Sequence, residues 1–265
     1  MVIVETLELT RRFKELVAVN AFSISVDAGE IFGILGPNGA GKSTVLKMLT
    51  TLLPPTSGRA MVAGFDIRQQ AAQVRHVIGY VPQLLSADGT LTGYENLLIF
   101  AKLYDIPHRE REKRIQDALD FMGLSDAADQ TVRTYSGGMI RRLEIAQSTL
   151  HHPRVLFLDE PTVGLDPAAR HVVWEMITQL RDSYGTTIFL TTHLMEEADM
   201  LCMRVAIMHH GQIVALDSPE ALKKALGHEG ATLDEVFIHF AGDTLETGGG
   251  YRDTAHTRRI TRRLG

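Results

Sequence analysis

Apolar and polar positions alternate in LELTRRF, and β-branched residues recur in SISVDAG, so the first thirty residues read as strands. IFGIL is a short apolar run interrupted by glycine, like a buried strand. A helix is expected from Lys42 to about Leu52, stopped by Pro54 and Pro55. GRAMVAG and HVIGYVP predict two further short strands.

The period then lengthens. TGYENLLIFAKLYDI opens with a capping box, Thr92 to Glu95, before an apolar helical run. REREKRIQDALDFMGL is a charged amphipathic helix ending at Gly123. MIRRLEIAQSTL follows as a third helix, so about residues 90–150 form a helical block inclusive of its lead-in. Strand-and-helix alternation resumes with VLFLD, a helix capped by Asp166 with Pro167 at its first position, TTIFLTT, LMEEADML and a hairpin around Gly211. Such alternation predicts a mostly parallel sheet covered on both faces.

Composition narrows the class. The chain has 265 residues, 45% hydrophobic and 22% charged, as ordinary globular domains do. With 27 basic and 32 acidic residues the net charge is −5, which argues against nucleic acid as a partner. One cysteine, Cys202, makes no internal disulfide, fits a reducing compartment, and reads as a buried thiol. No run approaches the ~18 to 20 apolar residues that cross a bilayer, and the first residues lack the basic start and apolar core of a signal peptide. Past about Gly242 the sequence is rich in Gly, Thr and Arg, and 241–265 is expected to be a mobile tail. Its last 15 residues hold five arginines and one aspartate, which suits either a solvated tail or contact with acidic lipid.

The candidate chemistry begins with GPNGAGKST: Gly36, Pro37, Asn38, Gly39, Ala40, Gly41, Lys42, Ser43 and Thr44. It fits G-x-x-x-x-G-K-[ST] between a predicted strand and a predicted helix. Backbone N–H groups of such a loop point at phosphate, Lys42 adds positive charge near the β- and γ-phosphates, and Ser43 offers a hydroxyl to Mg²⁺. In VLFLDE, Asp159 ends a buried strand where a carboxylate holds the Mg²⁺ shell, through water. Glu160 follows; taken alone the two acids fit a helix cap equally well, but with the phosphate loop upstream Glu160 reads as the residue that polarises the attacking water. His193 directly follows TTIFLTT, at the end of a parallel strand where ligands bind. The pairs His151–His152 and His209–His210 lack metal spacing and read as surface or loop residues. Gln83, in YVPQ, either reaches Mg²⁺ and the attacking water or is an exposed loop glutamine. Trp174, beside Val173, Ile177 and Leu180, reads as partial packing. A second anion site is suggested by YSGGM, whose glycines start a helix.

GPNGAGKST, YVPQ, YSGGM, VLFLDEPTVGLDP and TTH, in that order, resemble the ATP-binding cassette family over about residues 3–240. YSGGM with RRLEIA and LFLDEPTVGLDP resembles, more narrowly, the ATP-binding subunits of daunorubicin-resistance-type drug exporters. The resemblance implies an α/β P-loop NTPase fold with a mostly parallel sheet, an antiparallel β part near the N-terminus and an inserted α-helical subdomain. It implies ATP and Mg²⁺ as ligands, with Ser43, Gln83 and Asp159 around the metal, and Glu160, His193 and Gln83 as the catalytic set. Phe13 matches the aromatic that stacks on adenine. Tyr135, Ser136, Gly137, Gly138 and Met139 match the signature that closes over the ATP of a partner cassette. Gly164, Leu165 and Asp166 match the loop crossing between two cassettes. The implied partners are a second cassette, identical or closely related, and a separate membrane subunit of the ABC-2 type docked on the helical block, at the cytoplasmic face of the membrane.

The sequence departs from the commonest signature, LSGGQ, at Tyr135 and Met139, and Ile140 stands where these exporters often carry a basic residue. Ser136 and both glycines are kept, so activity is expected. A single-cassette ATPase without a transport role, such as an iron–sulfur assembly factor, is the competing reading. A P-loop kinase leaves YSGGM unexplained, and an inert nucleotide binder leaves Glu160 unexplained.

Overall fold

The structure, a computed structural model, describes residues 1–242. The expected tail lies, from residue 243 onward, outside the described residues. The N-terminal strands are longer than the sequence pattern indicated. β1 (Val2–Phe13) and β2 (Leu16–Asp27) form an antiparallel hairpin, and β4 (Ser57–Val62) joins the other edge of β1, followed by β5 (Phe65–Asp66). The second sheet has six strands in the order β10-β9-β3-β8-β7-β6. They are β3 (Ile31–Leu35), β6 (Ile78–Val81), β7 (Val155–Asp159), β8 (Thr187–Thr192), β9 (Arg204–His209) and β10 (Gln212–Asp217). All neighbours pair in parallel except the hairpin β9–β10.

Both faces of this sheet are covered, which is why its strands read as unbroken apolar runs. Phe157 and Val155 of β7 point to one side, into a core shared with the antiparallel sheet and with α1 (Lys42–Leu49). Leu156 and Leu158 point to the other, into a core shared with the helices. On the first side Phe189 stands between Phe32 and Phe157, with ring centroids 5.3 and 5.4 Å away. Such ring pairs add roughly 0.5–1.5 kcal/mol each beyond the area they bury.

The helical block is α3 (Gly93–Leu103), α4 (His108–Phe121) and α5 (Gly137–Thr149). The Thr92–Glu95 capping box is present in both directions. The chain then returns through α6 (Pro167–Tyr184) and α7 (Met195–Leu201), and closes with α8 (Pro219–Ala225) and α9 (Leu233–Ala241).

Several elements differ from the sequence expectation. α1 stops at Leu49, because Thr51 adopts φ 64° and Leu53 N–H donates back to Lys47 O, which ends the helix before the prolines act. α2 (Ala71–Val77) has no side-chain cap and only Val74 fully buried, so neither helix signal marks it in the sequence. α8 and α9, which the apolar pattern does not mark, start at side-chain caps on Ser218 and Thr232. His151 lies in the loop between α5 and β7, one of the two places expected for it, and is half-buried there. Its ring stacks on Tyr104 with centroids 3.9 Å apart, and its Nε2 lies 3.0 Å from Ile78 O. A carbonyl only accepts, so Nε2 carries the proton. Burial pushes this imidazole down to about 4.

Parallel register decides where chemistry collects. Leu35 sits opposite Thr192, and Asp159 opposite Thr191. The loop after β3, the two acids at the end of β7 and the histidine after β8 therefore emerge together at the carboxyl edge of the sheet.

Candidate active site

Residues 36–41 turn the chain from β3 into α1. Gly41 makes the turn with φ 103°, and a Cβ there would come within 2.4 Å of Ala18 O. No other residue fits that backbone so close to β2. Because Gly41 caps α1 without a side chain, the helix's first N–H groups are left for an anion.

Lys42 is buried. Its Nζ donates to Gly36 O at 2.8 Å and Pro37 O at 3.1 Å, and lies 3.2 Å from Glu160 Oε1. Burial lowers its pKa, opposed by the charges of Glu160 and Asp159. Asp159 Oδ1 accepts from Ser43 Oγ at 2.9 Å and from Thr191 Oγ1 at 2.6 Å. A hydroxyl and a carboxylate meeting in this way form an oxygen donor pair that suits Mg²⁺ completed by phosphates. Among the described residues no group of three His, Cys, Asp or Glu is placed to hold a metal by itself. Tyr80, close enough to feel the charge of Asp159, has its phenol pushed up to about 12, chiefly by burial.

Glu160 takes φ 49°, uncommon for a residue with a side chain, and its N–H is shared between Thr191 O and Thr191 Oγ1 at 3.1 and 3.2 Å. That turn sends the carboxylate to three groups from distant parts of the chain. Lys42 faces Oε1, Gln83 Nε2 donates to Oε2 at 3.0 Å, and His193 Nδ1 lies 3.2 Å from Oε2. Lys42, Gln83, Glu160 and His193 are thus brought together. Lys42, Gln83 and Glu160 border a cleft of about 650 Å³, whose walls also include Phe13, Asn38, Ser43 and Thr44. The Phe13 ring is partly exposed. Arg11 lies over it with its guanidinium carbon 4.6 Å from the ring centroid, and donates to Pro54 O at 2.7 Å.

The signature residues line a different surface, and none of them borders this cleft. Ser136 caps α5, its Oγ accepting from Met139 N–H, and Ser136 and Gly137 are exposed. The side chain of Tyr135 is turned inward, where its hydroxyl donates to Ala127 O at 2.6 Å. Gly164 takes φ 77°, Leu165 approaches Gly137, and Asp166 caps α6 through Ala169 N–H at 2.9 Å.

Sequence reasoning missed several polar groups. Thr191 fixes both Asp159 and Glu160; the Thr doublet before His193 was its only signal. Arg141 and Glu144, on the buried side of α5, bond the loop that carries Gln83. Glu197 is buried in α7 and accepts from Thr162 Oγ1 at 2.6 Å and Trp174 Nε1 at 3.0 Å. Trp174 is therefore more than packing: it ties α6 to α7 beside the acidic strand end.

The family model described as ABC transporter matches residues 19–163. The chain belongs to the ABC transporter family. Its ATP-binding cassette is 44% identical over 224 residues to the daunorubicin/doxorubicin resistance ATP-binding protein DrrA of Streptomyces peucetius, covering 84% of this chain and 68% of that one. It is 38% identical over 243 residues to the linearmycin resistance ATP-binding protein LnrL of Bacillus subtilis strain 168, covering 92% and 76%. It is 43% identical over 221 residues to Nod factor export ATP-binding protein I of Sinorhizobium fredii, covering 83% and 64%. A solved ATP-binding subunit of an ABC transporter superposes with a TM-score of 0.80 at 28% identity, over 90% of this chain and 99% of the other. The expected α/β cassette fold and the resemblance to the daunorubicin-resistance group both hold. The cassette is an ATPase, the ATP-binding subunit of an ABC transporter, and subunits of this kind work with separate transmembrane subunits. No helix of its described residues is long and apolar enough to cross a membrane.

Proposed function

We propose that this cassette hydrolyses MgATP at the interface of two copies, and thereby drives export of a drug-like or amphipathic compound through a separate ABC-2-type membrane subunit at the cytoplasmic face of the membrane. The observation that carries the reading is the convergence of Lys42, Gln83 and His193 on the carboxylate of Glu160, one residue after Asp159 meets Ser43.

Each residue then has a task. Gly36 to Thr44 enclose the phosphates through backbone N–H groups, and Lys42 exchanges Glu160 and its carbonyl partners for phosphate oxygens. Phe13, backed by Arg11, stacks on adenine. Mg²⁺, held by Ser43, Gln83 and Asp159, would neutralise charge developing on the transferred phosphoryl group. Glu160 orients the attacking water and accepts its proton, while His193 and Gln83 hold Glu160 and the γ-phosphate in register. Ser136 and Gly137 are exposed at a helix start, with Gly138 buried behind them, and all three are separate from their own cleft, which suits donation to the γ-phosphate of a second copy. Leu165 lies beside Gly137 of that signature, and Gly164 to Asp166 would cross to the partner cassette.

Membrane docking is supported by apolar side chains around the helical block. Leu84 is 80% exposed and Leu103 70%, and Leu85 and Ile99 are exposed as well. Export of a drug-like compound is supported by what the relatives are named for, daunorubicin, doxorubicin and linearmycin resistance.

The test is isolation of the Glu160→Gln variant from native membranes in MgATP, with partners identified by mass spectrometry. A near-stoichiometric polytopic membrane protein is expected. Recovery of soluble partners alone would replace the transporter reading with that of a non-transport assembly ATPase.

A further inference from the structure

The helix that starts at the signature is bonded along its buried side to the loop that carries Gln83. Ser148 Oγ donates to Tyr80 O at 3.0 Å. Arg141 donates through Nη1 to Pro82 O and through Nη2 to Gln83 O, both at 2.8 Å. Glu144 Oε1 accepts from the Ser86 N–H, from Ser86 Oγ at 3.2 Å and from Ala87 N–H at 3.3 Å. Gln147 Nε2 donates to Asn96 Oδ1 at 3.2 Å, and Asn96 brackets the backbone of Asp88 at 3.0 Å on both its N–H and its carbonyl. Side chains of one helix thus hold the backbone between β6 and α3 at Pro82, Gln83, Ser86 and Ala87.

Two of those side chains form an ion pair, Arg141 Nη1 to Glu144 Oε2 at 3.0 Å, with both side chains 2% exposed. Buried pairs pay heavy desolvation, and apolar residues of similar volume often serve stability as well or better. This pair does something an apolar pair cannot. Arg141 grips the loop at residues 82–83 and Glu144 grips it at 86–87, so Leu84 and Leu85 are forced out as an exposed knuckle between two fixed points. The same grip sets the backbone of Gln83, whose side chain donates to Glu160.

We propose that Arg141 and Glu144 are positioning residues that make the signature helix, Gln83 and the Leu84–Leu85 knuckle one rigid unit. Displacement of Ser136 by the partner's nucleotide then moves Gln83 relative to Glu160, and moves the surface offered to the membrane subunit in the same step. The inference rests on the reading of the site as an ATPase that pairs head to tail with a second copy. A guanidinium is required because only its planar fork reaches two carbonyls and a carboxylate at once.

The test is steady-state ATP hydrolysis by the full chain carrying Arg141→Lys, Glu144→Gln, Gln83→Ala, and Arg141→Lys with Gln83→Ala. Arg141→Lys is expected to lower kcat about 10-fold or more, with KM for MgATP within about 2-fold, as misplacement of a positioned group does. The double variant is expected to match Gln83→Ala alone, because both changes remove one function. Losses that multiply, a Gln83→Ala variant as active as the parent, or a fall in nucleotide affinity at unchanged kcat would overturn the proposal. Should Arg141→Lys fail to fold, Glu144→Gln carries the test. In that variant amide exchange at Ser86 and Ala87 should quicken as kcat falls, and quickened exchange at unchanged kcat would overturn it too. A parent chain that hydrolyses no ATP would strike the underlying reading, whereas an active parent with a fully active Arg141→Lys strikes this proposal alone.

Discussion

Lys42 and Glu160 face each other as a buried ion pair, Nζ 3.2 Å from Oε1, between the phosphate loop and the end of β7. Each charge is out of water and each partly answers the other. In Glu160→Gln the ammonium keeps its neutral oxygen acceptors but loses the opposing charge, so the variant should lose about 1–3 kcal/mol of stability without nucleotide. Phosphate supplies the missing negative charge, so ATP should raise Tm more in the variant than in the parent. Hydrolysis should fall roughly 10²–10⁴-fold, as expected for removal of a general base. Thermal unfolding with and without ATP, beside an ATPase assay, checks both halves; an equal ATP-induced shift in the two proteins contradicts the first.

The separation of the signature from its own cleft predicts complementation. Lys42→Met disables a phosphate loop and Ser136→Arg disables a signature, so each homodimer should be inactive. Mixed in equal amounts, they should recover activity, because a head-to-tail pair of unlike copies has one site with both halves intact. Titrating one variant into the other while following phosphate release is the measurement. A mixture as inactive as its components would mean that the signature does not act across two copies.

Tyr135 predicts a compensating pair. Its hydroxyl donates to Ala127 O, and a Cβ placed on Gly93 would come within 2.3 Å of that oxygen. Gly93→Ala should therefore destabilise the parent by about 1–3 kcal/mol through overpacking. Tyr135→Leu, which restores the commonest signature residue, costs a buried hydrogen bond of about 1 kcal/mol but removes the clash. The two changes together should cost less than their sum, as denaturant titration of the double-mutant cycle would register.

His151 predicts a slope in stability with acidity. Its pKa falls from an ordinary 6.5 to about 4 in the fold, so between those values the unfolded chain binds a proton that the folded chain refuses. Its contribution is present above about 6.5 and is lost as pH falls toward about 4. The full linkage of about 1.36 kcal/mol per unit is reduced by partial solvation of the ring, leaving on the order of 2 kcal/mol. His151→Gln keeps a donor for Ile78 O and does not titrate. Its unfolding free energy should fall less steeply across this window than the parent's, and parallel profiles would contradict the assignment.

The sequence by itself determined the elements whose causes are local. The apolar runs of β3, β7 and β8, the Thr92–Glu95 capping box and the Asp166–Pro167 helix start are each carried by a few neighbouring residues, and each forms where its pattern lies. GPNGAGKST, the acids after VLFL and His193 could be read as one candidate site, because parallel strands deliver their following loops to the same edge. Tertiary structure alone decided what those groups touch. That Thr191 holds both acids, that Arg141 and Glu144 grip the loop of Gln83, and that Glu197 joins Thr162 to Trp174 depend on residues tens of positions apart meeting inside the fold. Helical periodicity leaves an Arg or Glu on a buried face as an apparent exception, since the partner that satisfies it belongs to another element. The partners of the loop residue His151 are hidden for the same reason: nothing near it in sequence announces the ring of Tyr104 or the carbonyl of Ile78.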